Sequence, residues 1–209
     1  MRFALILLLA LTSVARADGK ADEFDYYVMA LSWSPNWCAL EGDARGSDQC
    51  DARHDFGWIL HGLWPQYERG FPSDCRTSAR DPSRGDTRAM SDIMASAGLA
   101  WHQWKKHGRC SGLTSDDYFG LSRDAYAAIN RPTVFRKLDD PVKLPASVVE
   151  EAFLKENTEL SPDMITITCK SRHIQEVRIC LTKDLEFREC GRDVVRDCTS
   201  DDALFNPVR

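Results

Sequence analysis

The chain has 209 residues, 43% of them hydrophobic and 28% charged, which is enough apolar material for one domain-sized core and excludes an intrinsically disordered chain. Its formal charge of −5 excludes the broad basic face of a nonspecific nucleic-acid binder. A few converging cations on an acidic protein still suffice to hold a phosphate.

The N-terminus places Arg2 before an apolar run over 3–14 and closes it with Ala15-Arg16-Ala17. That pattern predicts a secretory signal over 1–17, cleaved after Ala17. No second long apolar run follows, so the expected product is an exported, periplasmic or extracellular protein free of the membrane. Without repeats, low-complexity segments or Gly/Ser linkers, 18–209 reads as one domain.

Residues 24–33, FDYYVMALSW, are aromatic and partly alternating, as a strand packed on one face would be. A loop rich in Gly, Asp and Ser is expected from there to Cys50. A second apolar run over 56–60 leads into His61, which places that histidine at or near a strand end. Helices are expected over 87–97 and 99–109, after Thr114 with Asp117 as its capping partner, and after Ser147 with Glu150 before VVEEAFLKEN. The short β-branched or alternating runs 164–169, 174–181 and 185–190 read as strands. Helices in the middle and strands at both ends predict an α+β fold, a single domain with a central antiparallel sheet flanked by helices.

Eight cysteines, at 38, 50, 75, 110, 169, 180, 190 and 198, form an even set in a chain expected to be exported, which favours four disulfides. Spacing alone does not choose among the possible pairings. No pair has CxxC spacing, which argues against a structural metal.

Two segments carry the chemistry: WILHGLWPQ around His61 and WHQWKKHGRC over 101–110. On a helix, His102, Gln103, Lys106 and His107 fall within an arc of about 140°, with Trp101 and Trp104 on the side that a core would receive. A merely solvated polar face is the plain alternative. Against it, two histidines and a lysine share that face with no acid, and His61 adds a third imidazole able to titrate near neutrality. Such a set suits proton transfer at both ends of a phosphoryl reaction. Zinc chemistry of the HExxH type fits poorly, because His102 and His107 are five apart and neither segment offers a carboxylate ligand.

ILHGLWPQ and HQWKKHGRC resemble the two active-site segments of the ribonuclease T2 family, which read HGLWP and close to HEWxKHGTC, and FDYYVMALSWSPNWC resembles the family's first strand. The resemblance implies an exported α+β endoribonuclease that needs neither metal nor cofactor. It would cleave single-stranded RNA, not DNA, through a 2′,3′-cyclic phosphate with little base specificity. A monomer is the expected state, although no feature of the sequence reads out oligomerisation. It gives His107 the role of general base and His61 that of general acid, with His102 binding the phosphate and Lys106 stabilising the charge on phosphorus. Gln103 stands where the family has glutamate. It keeps the shape and an N–H donor but loses charge and titration. Arg109 replaces a frequent threonine, either as a cation near the site or as a surface residue.

For substrate binding, the resemblance makes Trp64 a platform for a base, against the alternative of a core tryptophan. Gln66 and Tyr67 are weaker candidates, and His54 and His173 match no active-site motif. The implied disulfides are Cys38–Cys50, Cys75–Cys110, Cys169–Cys198 and Cys180–Cys190. The competing expectation is a secreted binding protein on the same scaffold that has lost catalysis, supported by Gln103 alone.

Overall fold

The computed structural model describes residues 18–209, so the expected signal segment lies outside the described residues. In chain order these form β1 (Asp18–Lys20), β2 (Tyr26–Trp33), α1 (Ser34–Trp37), β3 (Trp58–Gln66), β4 (Ser73–Arg76), α2 (Arg84–Ala89), α3 (Ser91–Met94) and α4 (Ala97–Lys106). After these come α5 (Ser115–Ala128), β5 (Val142–Leu144), α6 (Ala146–Glu156), β6 (Ile165–Lys170), β7 (His173–Leu181) and β8 (Ala203–Phe205). The main sheet has the order β3-β2-β7-β8-β5, with β6 also paired to β7. Its ladders are antiparallel except where β7 meets β8 at His173–Leu204, and β1 pairs with β4 in a separate parallel ribbon. The α+β fold is therefore as the element pattern predicts.

Cross-strand partners share a face, so the register sorts the sheet. Leu31, Met29 and Trp33 of β2 pair with Leu60, Leu63 and Trp58 of β3, and Val177 and Ile179 of β7 join that face. These side chains form one apolar core with Trp104, Tyr118 and Phe153 from α4, α5 and α6. Each fully buried large apolar side chain stabilises the fold by about 1.5–3 kcal/mol. On the opposite face, Val28, Ala30 and Ser32 meet Trp64, Gly62, Arg178 and Glu176.

One irregularity makes that second face possible. Ala30 pairs with Gly62 and Leu31 with Leu60, so His61 is an extra residue, a β-bulge in β3. In an unbroken strand, residues 61 and 64 would point to opposite faces. The bulge resets the alternation, leaving Leu63 in the core and bringing Trp64 to the side of His61. His61 is thus not at a strand end: β3 runs on to Gln66. Pro65 is tolerated there because β3 is an edge strand and lacks a neighbour that needs its N–H.

Other expectations change in detail. The segment after β2 is not an open loop but a run of short helical turns from Ser34 through Cys50, opened by Pro35 in the first turn of α1. The helix expected over 87–97 is two: α2 starts earlier, at a capping box of Ser83 and Asp86, and α3 stops at Ala95, whose φ is +64°. Thr114 caps α5 through Asp117 N–H, but Ser147 does not cap α6, which starts one residue before it with Pro145 in the cap position. Residues 185–190 are not a strand. Leu185 has φ +65°, only Phe187 bridges back to Leu181, and Cys180–Cys190 closes the turn.

Four disulfides join Cys38 to Cys50, Cys75 to Cys110, Cys169 to Cys198 and Cys180 to Cys190. Cys75–Cys110 closes a loop with a sequence separation of 35 and ties β4 to the turn after α4. On loop-closure entropy such a bridge stabilises the fold by about 4 kcal/mol.

Candidate active site

Helix α4 begins at Ser96, whose hydroxyl accepts from Leu99 N–H, and carries His102, Gln103 and Lys106. It ends at His107, which leaves helical geometry at φ −121° and ψ −48° while its N–H still donates to Gln103 O at 2.9 Å. Trp104 is fully buried, but Trp101 is 37% exposed and is not part of the core. The closeness of β3, whose Trp64 side chain covers Gln103, holds it to 1% exposure, where a helix face open to solvent would have solvated it.

His61, His102, Gln103, Lys106, His107, Trp64 and Gln66 all line one cavity of about 590 Å³. Trp64 stands between the two outer histidines: its ring stacks on His107 with centroids 5.3 Å apart at 27°, and meets His61 at 5.3 Å and 80°. Its indole N–H donates to Gln103 Oε1 at 2.8 Å. That bond fixes the amide, leaving the Nε2 group as its free donor. Gly62 is required beneath the pair, because a Cβ there would lie 2.3 Å from both Gln103 Oε1 and Trp64 Nε1.

Gln66 lines the cavity with its amide nitrogen bonded to Pro65 O, whereas Tyr67 packs against the core instead of lining the cavity. Arg109 is not a site cation. It forks onto Asp81, whose carboxylate also accepts the Trp104 indole N–H at 2.8 Å, so Arg109 anchors a core tryptophan. His54 stacks on Phe56 and His173 bonds to Ser171 O, both away from the cavity.

The two outer histidines differ in surroundings. His107 is 6% exposed, and burial, then the charges of Lys106, His61 and His102, push its pKa down to about 3. Its Nδ1 is buried with no hydrogen-bond partner among the described residues. An imidazolium would leave an N–H donor unmet there, so the geometry favours a neutral ring. His102 is also held below the ordinary histidine value, by burial and then by Lys106 and His61. His61, by contrast, has Glu176 Oε1 2.5 Å from its Nδ1. Burial alone would raise the Glu176 carboxyl, but the hydrogen bonds and charges of His61 and Arg178 outweigh it and hold the pKa at about 2.

Glu176 and Arg178 were missed by sequence reasoning, as were Phe71, Asp193 and Arg196, which also line the cavity. A usable signal was present in HIQEVRICL. Its alternation sends Val177, Ile179 and Leu181 to the core, so Glu176 and Arg178 share the other face of a central strand, where buried charges need a partner. Among the described residues no group of three or more His, Cys, Asp or Glu is arranged to hold a metal ion.

Fold and site together define an α+β protein whose sheet and helix enclose a cationic cavity flanked by imidazoles. A family model described as the ribonuclease T2 family matches residues 24–190, and the chain belongs to that family. A ribonuclease of Aeromonas hydrophila is 42% identical over 136 residues, covering 65% of this chain and 56% of that protein. A probable ribonuclease of Haemophilus influenzae is 30% identical, with 52% and 44% covered. The chain thus spans about half the length of these curated relatives. Ribonuclease Oy of Magallana gigas is 25% identical over 88% of this chain and 97% of its own. Among solved structures, an RNase-related protein from Calystegia sepium aligns with a TM-score of 0.64 at 21% identity, covering 88% of this chain and 97% of that one. At that identity the likeness is one of fold.

Proposed function

We propose that the protein is an endoribonuclease that cleaves single-stranded RNA without a metal or cofactor, through a 2′,3′-cyclic phosphate. The observation that carries this reading is the opposite setting of two histidines in one cavity: His107 buried and neutral, His61 held against an ionised carboxylate. His107 takes the proton of the ribose 2′-hydroxyl as O2′ attacks the adjacent phosphorus. The bond from phosphorus to O5′ breaks, and His61 gives its Nε2 proton to the departing oxygen. His102, Lys106 and the Gln103 amide line the cavity toward the phosphoryl group, whose developing charge they offset.

Substrate charge completes the base. The cations that depress His107 are partly neutralised when a phosphodiester sits among them, so its pKa rises on binding. Recognition is dominated by the phosphate and sugar, with Trp64 a tolerant contact rather than a reader of bases. Four disulfides support a site of action outside the cytoplasm, in a periplasm or the medium.

The test is cleavage of a single-stranded RNA by the purified oxidised protein with a chelator present. Chelator-resistant products with 2′,3′-cyclic phosphate ends are expected. No cleavage by folded protein at any pH between 4 and 8 sinks the reading and favours a binding scaffold.

Gln103 provides a second check. Gln103→Glu keeps an acceptor for the Trp64 indole but places a negative charge beside the imidazoles. That charge stabilises imidazolium and raises the pKa of His107, so the acid limb of kcat/KM moves to higher pH, by about one unit. An unmoved acid limb would show that position 103 does not communicate with the base.

A further inference from the structure

We propose that Glu176, held by Arg178, is the positioning residue that makes His61 deliver its proton from Nε2. The inference rests on the acid role assigned to His61 above and names the device behind it.

Glu176 lies on β7, opposite Ser32 of β2, and projects to the same side of the sheet as Trp64. It is 1% exposed, and both of its oxygens are engaged by basic side chains: Oε1 meets His61 Nδ1, and Oε2 accepts from Arg178 Nε at 2.9 Å and Nη2 at 2.7 Å. A carboxylate ionised in this way is only an acceptor, so Nδ1 must carry the hydrogen of that contact. Nε2 is left as the ring atom able to give a proton to a substrate oxygen. When it does so, the Nε2 proton passes to O5′ as the phosphorus bond to O5′ breaks, and the ring becomes the Nδ1–H tautomer. Glu176 accepts from that tautomer as well, so ring orientation persists through the step.

Arg178 has a distinct part. A buried carboxylate facing only an imidazole would tend to take its proton, leaving a neutral acid and a neutral ring. The guanidinium keeps Glu176 ionised, so the exchangeable proton stays on His61. Arg178 is also 5.4 Å from the centre of the Trp64 ring, which couples the pair to the tryptophan between the histidines.

The other titratable and charged groups around His61 do not supply this contact. His102, Lys106 and His107 face it across the cavity from α4 and its end, and all are basic; in the same cavity the Asp193 carboxylate accepts from Gly70 N–H, and Arg196 donates to the Asp193 carbonyl. On the far side a second cavity brings Glu41 and Arg45 near His61, but these two pair with each other at 2.6 Å and Glu41 also pairs with Lys170. A merely structural ion pair in the sheet would explain the burial of Glu176, though not its placement on the inner nitrogen of a cavity histidine.

The experiment compares two substrates that differ in their need for an acid. In a dinucleoside 3′,5′-phosphate the leaving group is an alkoxide that needs a proton, whereas in uridine 3′-(4-nitrophenyl phosphate) it is a stable phenolate. Glu176→Gln should lower kcat on the dinucleotide by about 10²-fold and leave the nitrophenyl ester within about threefold of wild type. The alkaline limb of the dinucleotide pH profile should move to lower pH, because the imidazolium has lost its counter-charge. Equal losses on both substrates would mark a structural role and overturn the inference, as would no loss on either or an unmoved alkaline limb. If Glu176→Gln does not fold, the same comparison is made with Glu176→Gln and Arg178→Gln together, which removes the buried carboxylate and its partly buried partner at once. Wild-type protein inactive on both substrates would overturn the ribonuclease reading itself, a result distinguishable from failure of the variant alone.

Discussion

Replacing His107 with alanine is expected to lower kcat for RNA cleavage by about 10³- to 10⁴-fold while the protein stays folded. No other group in the cavity replaces the base. Lys106 is a cation, Gln103 does not titrate, and His102 sits on α4 rather than against Trp64. His61 is committed to Glu176 through Nδ1. The fold should tolerate the change for a specific reason. The lost ring gives up its stacking on Trp64, but the same substitution removes a buried Nδ1 that has no partner among the described residues and an imidazole that resists protonation. These terms oppose each other, each of about 1–3 kcal/mol. Single-turnover cleavage and a urea unfolding curve on the same preparation check both halves. Residual activity within tenfold of wild type would remove His107 from the mechanism.

The nitrophenyl ester separates the two histidines. Loss of the base harms both substrates, because O2′ must still be deprotonated. Loss of the acid in His61→Ala harms chiefly the substrate with the poor leaving group. Wild-type kinetics carry a further signature: the acid limb of kcat should lie at higher pH than that of kcat/KM, since bound phosphate raises the pKa of His107 above its free value near 3.

The site was legible in sequence where its residues are neighbours along the chain. His102, Gln103, Lys106 and His107 occupy six positions, and the tryptophans around them fix the helix's orientation even though Trp101 remains exposed. The second segment was legible as chemistry but not as geometry. The apolar run over 56–60 places His61 at or near a strand end, whereas β3 continues through a bulge at His61 that uses Gly62 for a close approach, and the edge position accommodates Pro65. Glu176 was beyond reach for a different reason. It lies 115 residues from His61, and nothing local says which strand will pair with β2. Alternation in β7 sorts its faces but names no neighbour. The short strands β1, β5 and β8 have three residues each, too few to show a period, and exist because a neighbouring strand supplies their hydrogen bonds.

Stability should fall by about 4 kcal/mol between pH 7 and pH 4, and the active site is the main cause. His107 has a folded pKa near 3 against an ordinary value of 6.5, so below pH 6.5 the unfolded chain binds a proton that the folded chain refuses. Each pH unit in that window costs about 1.4 kcal/mol. His102 acts in the same direction. Glu176 has a folded pKa near 2 against 4.5, so its stabilisation is complete above pH 4.5 and is lost as pH falls from there toward 2. The loss should therefore begin near pH 6.5 and steepen below 4.5, and His107→Ala should remove the upper part while leaving the lower. Urea midpoints at half-unit pH intervals test this, and a flat or rising profile between pH 6.5 and 4.5 in the wild type would contradict the burial of a neutral His107. A bound oligonucleotide analogue should reduce the loss in the same window without abolishing it, because burial is the larger cause of the low His107 pKa and the phosphate offsets only the charges of Lys106, His61 and His102. The four disulfides, each adding a few kcal/mol, are what let the fold carry this cost in acid. A stability cost that phosphate binding partly relieves is what the base role proposed for His107 requires.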